Sequence, residues 1–182
     1  MGFFTALLII SNILSGNVAD DSDAPPTKLV QEVSDVNDRS EILWLARIIY
    51  SETKVSEEMK LIAWVARNRK DTAYRGDKTY ESVAKSKNQF SGLNTYDPEY
   101  KNNVSLEYSD TANKSWNKAL EIAEEVYYAN EPKRPFPITV RHFYSPKSVT
   151  KTPSWAENSE LYYSVPGEYG EPLRFAFYNG VK

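Results

Sequence analysis

Apolar residues recur at helical spacing between Ile42 and Tyr127, and at Ile138 the period changes to two. A chain patterned in this way is expected to fold as α+β, mostly helical, with a small antiparallel β-sheet near its end. Ile42, Leu45 and Ile49 give the first helix an apolar face, and D-x-x-E at Asp38–Glu41 has the form of a capping box that opens it. Ser56 is expected to cap a second helix, with Glu57 and Glu58 in its first turn and Met59, Ile62, Val65 and Ala66 on its face, so that the two form a helical hairpin. A brief helix is expected over 79–85, then the loop "NQFSGLNTYDPEY". The longest helix is expected over 111–130, with Trp116, Ala119, Leu120, Ala123, Val126 and Tyr127 on one side, ended by "EPKRPFP". Ile138, Val140, His142 and Tyr144 then alternate with Thr139, Arg141, Phe143 and Ser145 as in a half-buried strand. Residues 161–165 and 173–178 are further strand candidates.

The residues that are missing narrow the chemistry. No cysteine means no disulfide, thiol nucleophile or thiolate metal site, and the single histidine, His142, excludes HExxH and multi-histidine zinc sites. His142 leaves a Ser-His-Asp triad formally open, but nothing resembles a G-x-S-x-G elbow. No metal and no cofactor is expected. A net charge of −3 with interspersed signs offers no basic stripe, so nucleic acid is not an expected partner. Thirteen tyrosines supply flat faces with polar tips, the kind of surface on which sugars stack. Carboxylate chemistry remains.

At the N-terminus an apolar run from Phe3 to Leu14 stops abruptly at "DDSDAPPTK". Residues 1–19 read as a signal peptide or membrane anchor, too short for an ordinary spanning helix, and the alternative is an amphipathic arm packed on a partner. Residues 20–37 read as a linker and 38–182 as the folded domain.

One carboxylate interrupts the pattern. Leu45, Ile49 and Glu52 lie at i, i+4 and i+7, so if the first helix continues one more turn Glu52 emerges on the stripe that faces the core. Burial there, together with the negative end of the helix dipole, raises a carboxyl pKa until the group holds a transferable proton near neutral pH. Periodicity alone favours the other reading, a helix that frays at Tyr50 and turns Glu52 into water. Asp71, Asp77, Glu81 and Asp97 stand in polar surroundings and read as solvated or turn residues.

The segments "LARIIYSE", "LIAWVARNR", "QFS", "HFYSP" and "PSWA" occur, in order and at similar spacing, in the SleB-like cell-wall hydrolase family, the group of the spore-cortex-lytic enzymes; the resemblance covers about residues 42–160. It implies a compact lysozyme- or transglycosylase-like domain that cleaves peptidoglycan between N-acetylmuramic acid and N-acetylglucosamine. The family's catalytic glutamate, at the end of its Y-x-E pattern, corresponds to Glu52. Gln89, Phe90 and Ser91 correspond to its Q-F-S element and are expected to line sugar subsites, with Phe90 also readable as a buried loop anchor. His142, Tyr144 and Ser145 correspond to its H-Y-Y-N-P element, where strand spacing sends His142 and Tyr144 to one face within reach of the glycan or Glu52. Trp155 is expected to stack on a sugar or to close the core, and Asn68 and Arg69, the N-R pair, to make structural hydrogen bonds.

This chain departs from the family in three places. Thr53, Lys54, Val55 and Ser56 stand where A-R-G-E is usual, Ser145 replaces an asparagine, and "LRFAFYNG" lacks a histidine before its phenylalanine. A single acid suffices if the muramic acid's 6-hydroxyl closes an anhydro ring, as in a lytic transglycosylase. The expected protein is thus an exported or membrane-tethered muralytic enzyme, associated with a membrane through residues 3–14, or a component of a phage virion. The alternatives are a non-catalytic glycan-binding or virion structural module and a membrane-anchored interaction protein.

Overall fold

The computed structural model describes residues 27–87, 89–166 and 174–181. The apolar run over 3–14 and residues 20–26 of the expected linker lie outside them, and among the described residues no helix is long and apolar enough to cross a membrane. Among the described residues the architecture is α+β, with six α-helices and a three-stranded antiparallel sheet.

Helix α1 spans Thr27–Glu52 and α2 spans Ser56–Asp71. Ile42, Leu45, Ala46, Ile48 and Ile49 of α1 and Met59, Ile62, Ala63, Val65 and Ala66 of α2 are buried, as a helical hairpin with one apolar face each requires. Two boundaries differ from expectation. The first helix starts at Thr27, inside the stretch expected as linker, so Asp38 caps nothing; its carboxylate instead accepts from the Tyr127 and Tyr128 hydroxyls at 2.8 and 3.3 Å. Ser56 is the first residue of α2 and not its cap, because the extended residue before it is Val55, whose side chain cannot accept.

Helix α3, Tyr80–Lys85, has the expected short length and is capped by Thr79 in a reciprocal capping box with Ser82. A further short helix, α4 over Tyr100–Ser105, was not visible in the pattern, and only Asn103 of it is buried. Helix α5, Lys114–Tyr128, is shorter than α1 and narrower than expected. Asn113 caps it by accepting from Trp116 N at 3.1 Å. Trp116, Ala119, Ile122, Ala123 and Val126 bury its face against α1 and α2, and replacing a buried tryptophan such as Trp116 with alanine costs about 3–5 kcal/mol.

Strands β1 (Val140–Tyr144), β2 (Glu160–Val165) and β3 (Phe175–Asn179) order as β1-β3-β2. The central strand is covered on both faces. Phe175 and Phe177 join the main core, whereas Ala176 and Tyr178 pack with Ala156, Trp155 and Tyr144 around α6 (Ser154–Glu157). Simple alternation in β1 fails, because a register shift between Val140 and His142 inserts a bulge. Val140 and Phe143 therefore share the core face, and His142 and Tyr144 turn to the opposite one. Helix α2 is stapled to this strand by Asn68 Nδ2, which donates to Pro137 O at 3.1 Å and Val140 O at 2.8 Å, and by Arg69 Nε, which donates to Arg141 O at 2.6 Å.

Candidate active site

The apolar stripe of α1 runs to its last residue. The helix does not fray at Tyr50: Thr53 N still donates to Ile49 O at 3.3 Å, so Glu52 follows Ile48 and Ile49 on the buried side. Beyond it the chain is pinned by a network that runs from the buried Thr53 and Glu58 to the half-exposed Arg174. Thr53 Oγ1 donates to Glu58 Oε2 at 2.5 Å and accepts from Val55 N at 3.2 Å, while Arg174, just before β3, donates through Nε to Glu58 Oε1 and through Nη2 to Glu58 Oε2 at 3.0 Å. Burial acts to raise the Glu58 carboxyl, and the Arg174 and Thr53 hydrogen bonds outweigh it, leaving the group below the usual carboxylate range.

The turn Ser91–Leu93 crosses the same end of α1 at close range. A Cβ on Gly92 would lie 2.9 Å from Asn103 Nδ2 and 3.1 Å from Ser51 Cβ, so only glycine permits this approach. Asn103 Nδ2 secures it by donating to Gly92 O at 2.8 Å.

Two adjoining hollows result, sharing Ser51 and Ser91. One, of about 310 Å³, is lined by Glu52, Ser145, Lys147, Arg174 and Phe175; the other, of about 280 Å³, by Tyr50, Lys54, Asp97, Glu99 and Asn103. Each is near the lower size of sites that bind small organic groups. Glu52 Oε1 is buried and has no hydrogen-bond partner among the described residues. Burial pushes the Glu52 carboxyl up to about 7; the charges of Arg69 and Lys54 and the Ser91 backbone N–H oppose that, and the Asp97 charge adds to it. A carboxylic acid in this state can give up a proton at neutral pH and take one back.

The residues anticipated from sequence separate into several places. Ser91 and Ser145 join Glu52 in the groove. Phe90 does not line it: the ring is fully buried, 6.3 Å from the Phe143 ring, because the turn is anchored inward by this side chain. Gln89, His142 and Trp155 line a different cavity, of about 120 Å³, with Arg69 and Arg75. Tyr144 stacks on Tyr178 at 5.8 Å and meets the Trp155 ring edge-on. Among the described residues no hydrogen bond joins His142 to Glu52; the β1 bulge directs the histidine to Tyr74, whose Oη lies 3.3 Å from Nε2.

Several lining residues carried no warning in the sequence. Arg174 is far from Glu52 along the chain, and Lys147 and Asn103 sit in polar segments without a period. Asp97 is a turn residue, as expected, its Oδ1 accepting from Glu99 N at 2.8 Å, and it also faces the second hollow. Arg69 keeps its structural bond to β1 while its charge acts on both Glu52 and His142. Among the described residues no group of acidic or histidine side chains is placed to hold a metal ion. Comparison with family models, curated proteins and solved structures finds no match to this chain.

Proposed function

We propose that this chain cleaves the glycan strands of peptidoglycan, with Glu52 as a single acid/base. The observation that carries the reading is the Glu52 carboxyl, buried at the end of α1, open on one side to a groove, and holding its proton up to about 7. The resemblance of "LARIIYSE", "QFS" and "HFYSP" to cell-wall hydrolases supplies the substrate class. Glu52 protonates the glycosidic oxygen as the bond to it breaks. The carboxylate left behind is stabilised by the Arg69 and Lys54 charges and the Ser91 N–H, and it then takes the proton of the attacking hydroxyl. That hydroxyl is the muramic acid 6-hydroxyl in transglycosylation or water in hydrolysis, and Asp97 in the neighbouring hollow is the candidate second carboxylate for the latter. Export or membrane attachment through residues 3–14 belongs to the same proposal.

The test incubates the full chain and its Glu52→Gln variant with purified peptidoglycan and analyses the released muropeptides by mass spectrometry. Anhydro-muramic ends from the parent, falling about 10²-fold or more in the variant, support the transglycosylase form, and new reducing ends support the hydrolase form. Glycan that both proteins bind and neither cuts would overturn catalysis in favour of a binding module.

A further inference from the structure

Four buried side-chain polar atoms lack a hydrogen-bond partner among the described residues. One is Glu52 Oε1, and the other three, Arg69 Nη1, Arg141 Nε and His142 Nδ1, cluster around a single ring. The Arg69 and Arg141 guanidinium carbons lie 6.0 and 4.4 Å from the Tyr74 centroid, the Arg75 carbon lies 5.3 Å from it, and the His142 ring stands edge-on at 5.2 Å. Buried donors left unpaired in this number need an explanation, since each costs free energy comparable to a lost hydrogen bond.

The charge is as unbalanced as the hydrogen bonding. Among the described residues none of Arg69, Arg75 and Arg141 forms an ion pair, although Asp77 is close enough to act on Arg69. Burial first, then the Arg75 charge, lowers the Arg69 guanidinium to about 10, with the opposite charges of Asp77 and Glu52 working against it. Burial and the three arginine charges lower His142 to about 3, so the ring is neutral at any ordinary pH. Tyr74 Oη and Nε2 share a hydrogen bond at 3.3 Å, and in the tautomer where Oη is the donor the ring proton sits on Nδ1, which then donates into the cluster. Water in the adjoining cavity can satisfy N–H groups but cannot neutralise three cations.

We propose that the 120 Å³ cavity is a binding site for a small carboxylate, held at its polar edge by Arg69, Arg75 and Gln89 beside the neutral His142. A planar carboxylate matches a guanidinium fork in two parallel hydrogen bonds. The opposite edge is formed by Phe143, Trp155 and Val181, which favours a carboxylate on a short apolar carbon over a bare inorganic oxyanion. The free carboxylates of the peptides carried on peptidoglycan are groups of this kind; that assignment rests on the function proposed for Glu52, whereas carboxylate binding does not.

His142 is the sole histidine, so its imidazole gives one reporter signal in an NMR spectrum of the full chain. Glu52→Gln protein, in which turnover is blocked, is titrated with acetate, with acetamide as neutral isostere and with inorganic phosphate, at constant ionic strength. The expected result is a saturable shift of the His142 signals by acetate with a Kd of about 1–10 mM, and none by acetamide. Arg75→Gln, a change at an exposed residue, is expected to weaken acetate binding about tenfold. Failure of acetate to saturate by about 100 mM, an equal response to acetamide, or tighter binding of phosphate would overturn the proposal. Acetate binding by a chain whose parent leaves peptidoglycan uncut would keep this site and remove the glycan reading.

Discussion

Replacing Glu52 with glutamine should make the protein more stable while destroying the activity proposed for it, and the gain should depend on pH in a defined way. The carboxyl titrates near 7 in the fold and at its ordinary 4.5 in the unfolded chain. Below 4.5 both states carry the proton and Glu52 imposes no penalty. As the pH rises the unfolded chain ionises first, so stability is lost between 4.5 and 7 and the loss is complete above 7. At about 1.4 kcal/mol per pH unit the full difference is up to about 3 kcal/mol. Glutamine keeps the shape and never ionises. Urea denaturation of parent and variant should therefore coincide near pH 4 and diverge by up to about 3 kcal/mol at pH 8, equivalent to roughly 6–12 °C in Tm for a chain of this size. Curves that stay parallel from pH 4 to pH 8 would mean the carboxyl is not desolvated, and with that the proton-donor argument fails.

Gly92→Ala should cost about 1–3 kcal/mol and lower glycan cleavage, because its methyl collides with Asn103 and Ser51 beside the acid; activity equal to the parent's would show that this turn does not seat Glu52. Arg174→Met leaves the Glu58 carboxylate buried without its cation and should cost about 2–4 kcal/mol in urea denaturation, with Glu58→Gln in the same chain recovering most of it; an undiminished loss in the double variant would refute the pairing. The His142 ring should remain neutral in an NMR titration down to pH 4.5, and stability should fall as the pH drops from 6.5 towards 3, since the unfolded chain accepts the proton that the fold refuses. An imidazole midpoint near 6.5 would contradict the arginine cluster.

What could be read from the sequence was whatever repeats locally. The α1–α2 hairpin and the Trp116 face of α5 bury a stripe against one core, and a stripe is visible in one dimension. The early start of α1 was not, because among the described side chains its buried face begins at Ile42 and the exposed Val36 before it carries no phase. Helix α4 escaped for the same reason, with Asn103 as its sole buried residue. His142 and Tyr144 share a face as strand spacing implies, but not the face of Val140, since one inserted residue at a bulge reverses every later side chain in the strand. The stripe extends to Glu52, although periodicity alone favours a frayed end there, and the Thr53–Glu58–Arg174 network that fixes its turn joins residues as far as 116 apart, a pairing with no local trace.

The groove and the cavity pose opposite electrostatic problems on the two sides of Arg69. In the groove a carboxyl is buried with too little positive charge to ionise it fully; beside the cavity three guanidiniums gather around Tyr74 and form no ion pair among the described residues, with Asp77 acting on Arg69 only through its charge. Arg69 contributes to both, lowering Glu52 and His142 alike, while its hydrogen bond to Arg141 O holds it to β1, and among the described residues it forms no ion pair with Glu52. A direct Arg69–Glu52 pair would hold the carboxylate ionised and remove its proton at neutral pH. Holding the cation at a distance leaves Glu52 able to carry a proton and still stabilises the charge it acquires on giving it up. A cation so held also remains available to an incoming carboxylate on its other side, so ligand bound in the cavity would withdraw part of Arg69's field from Glu52 and raise the acid further.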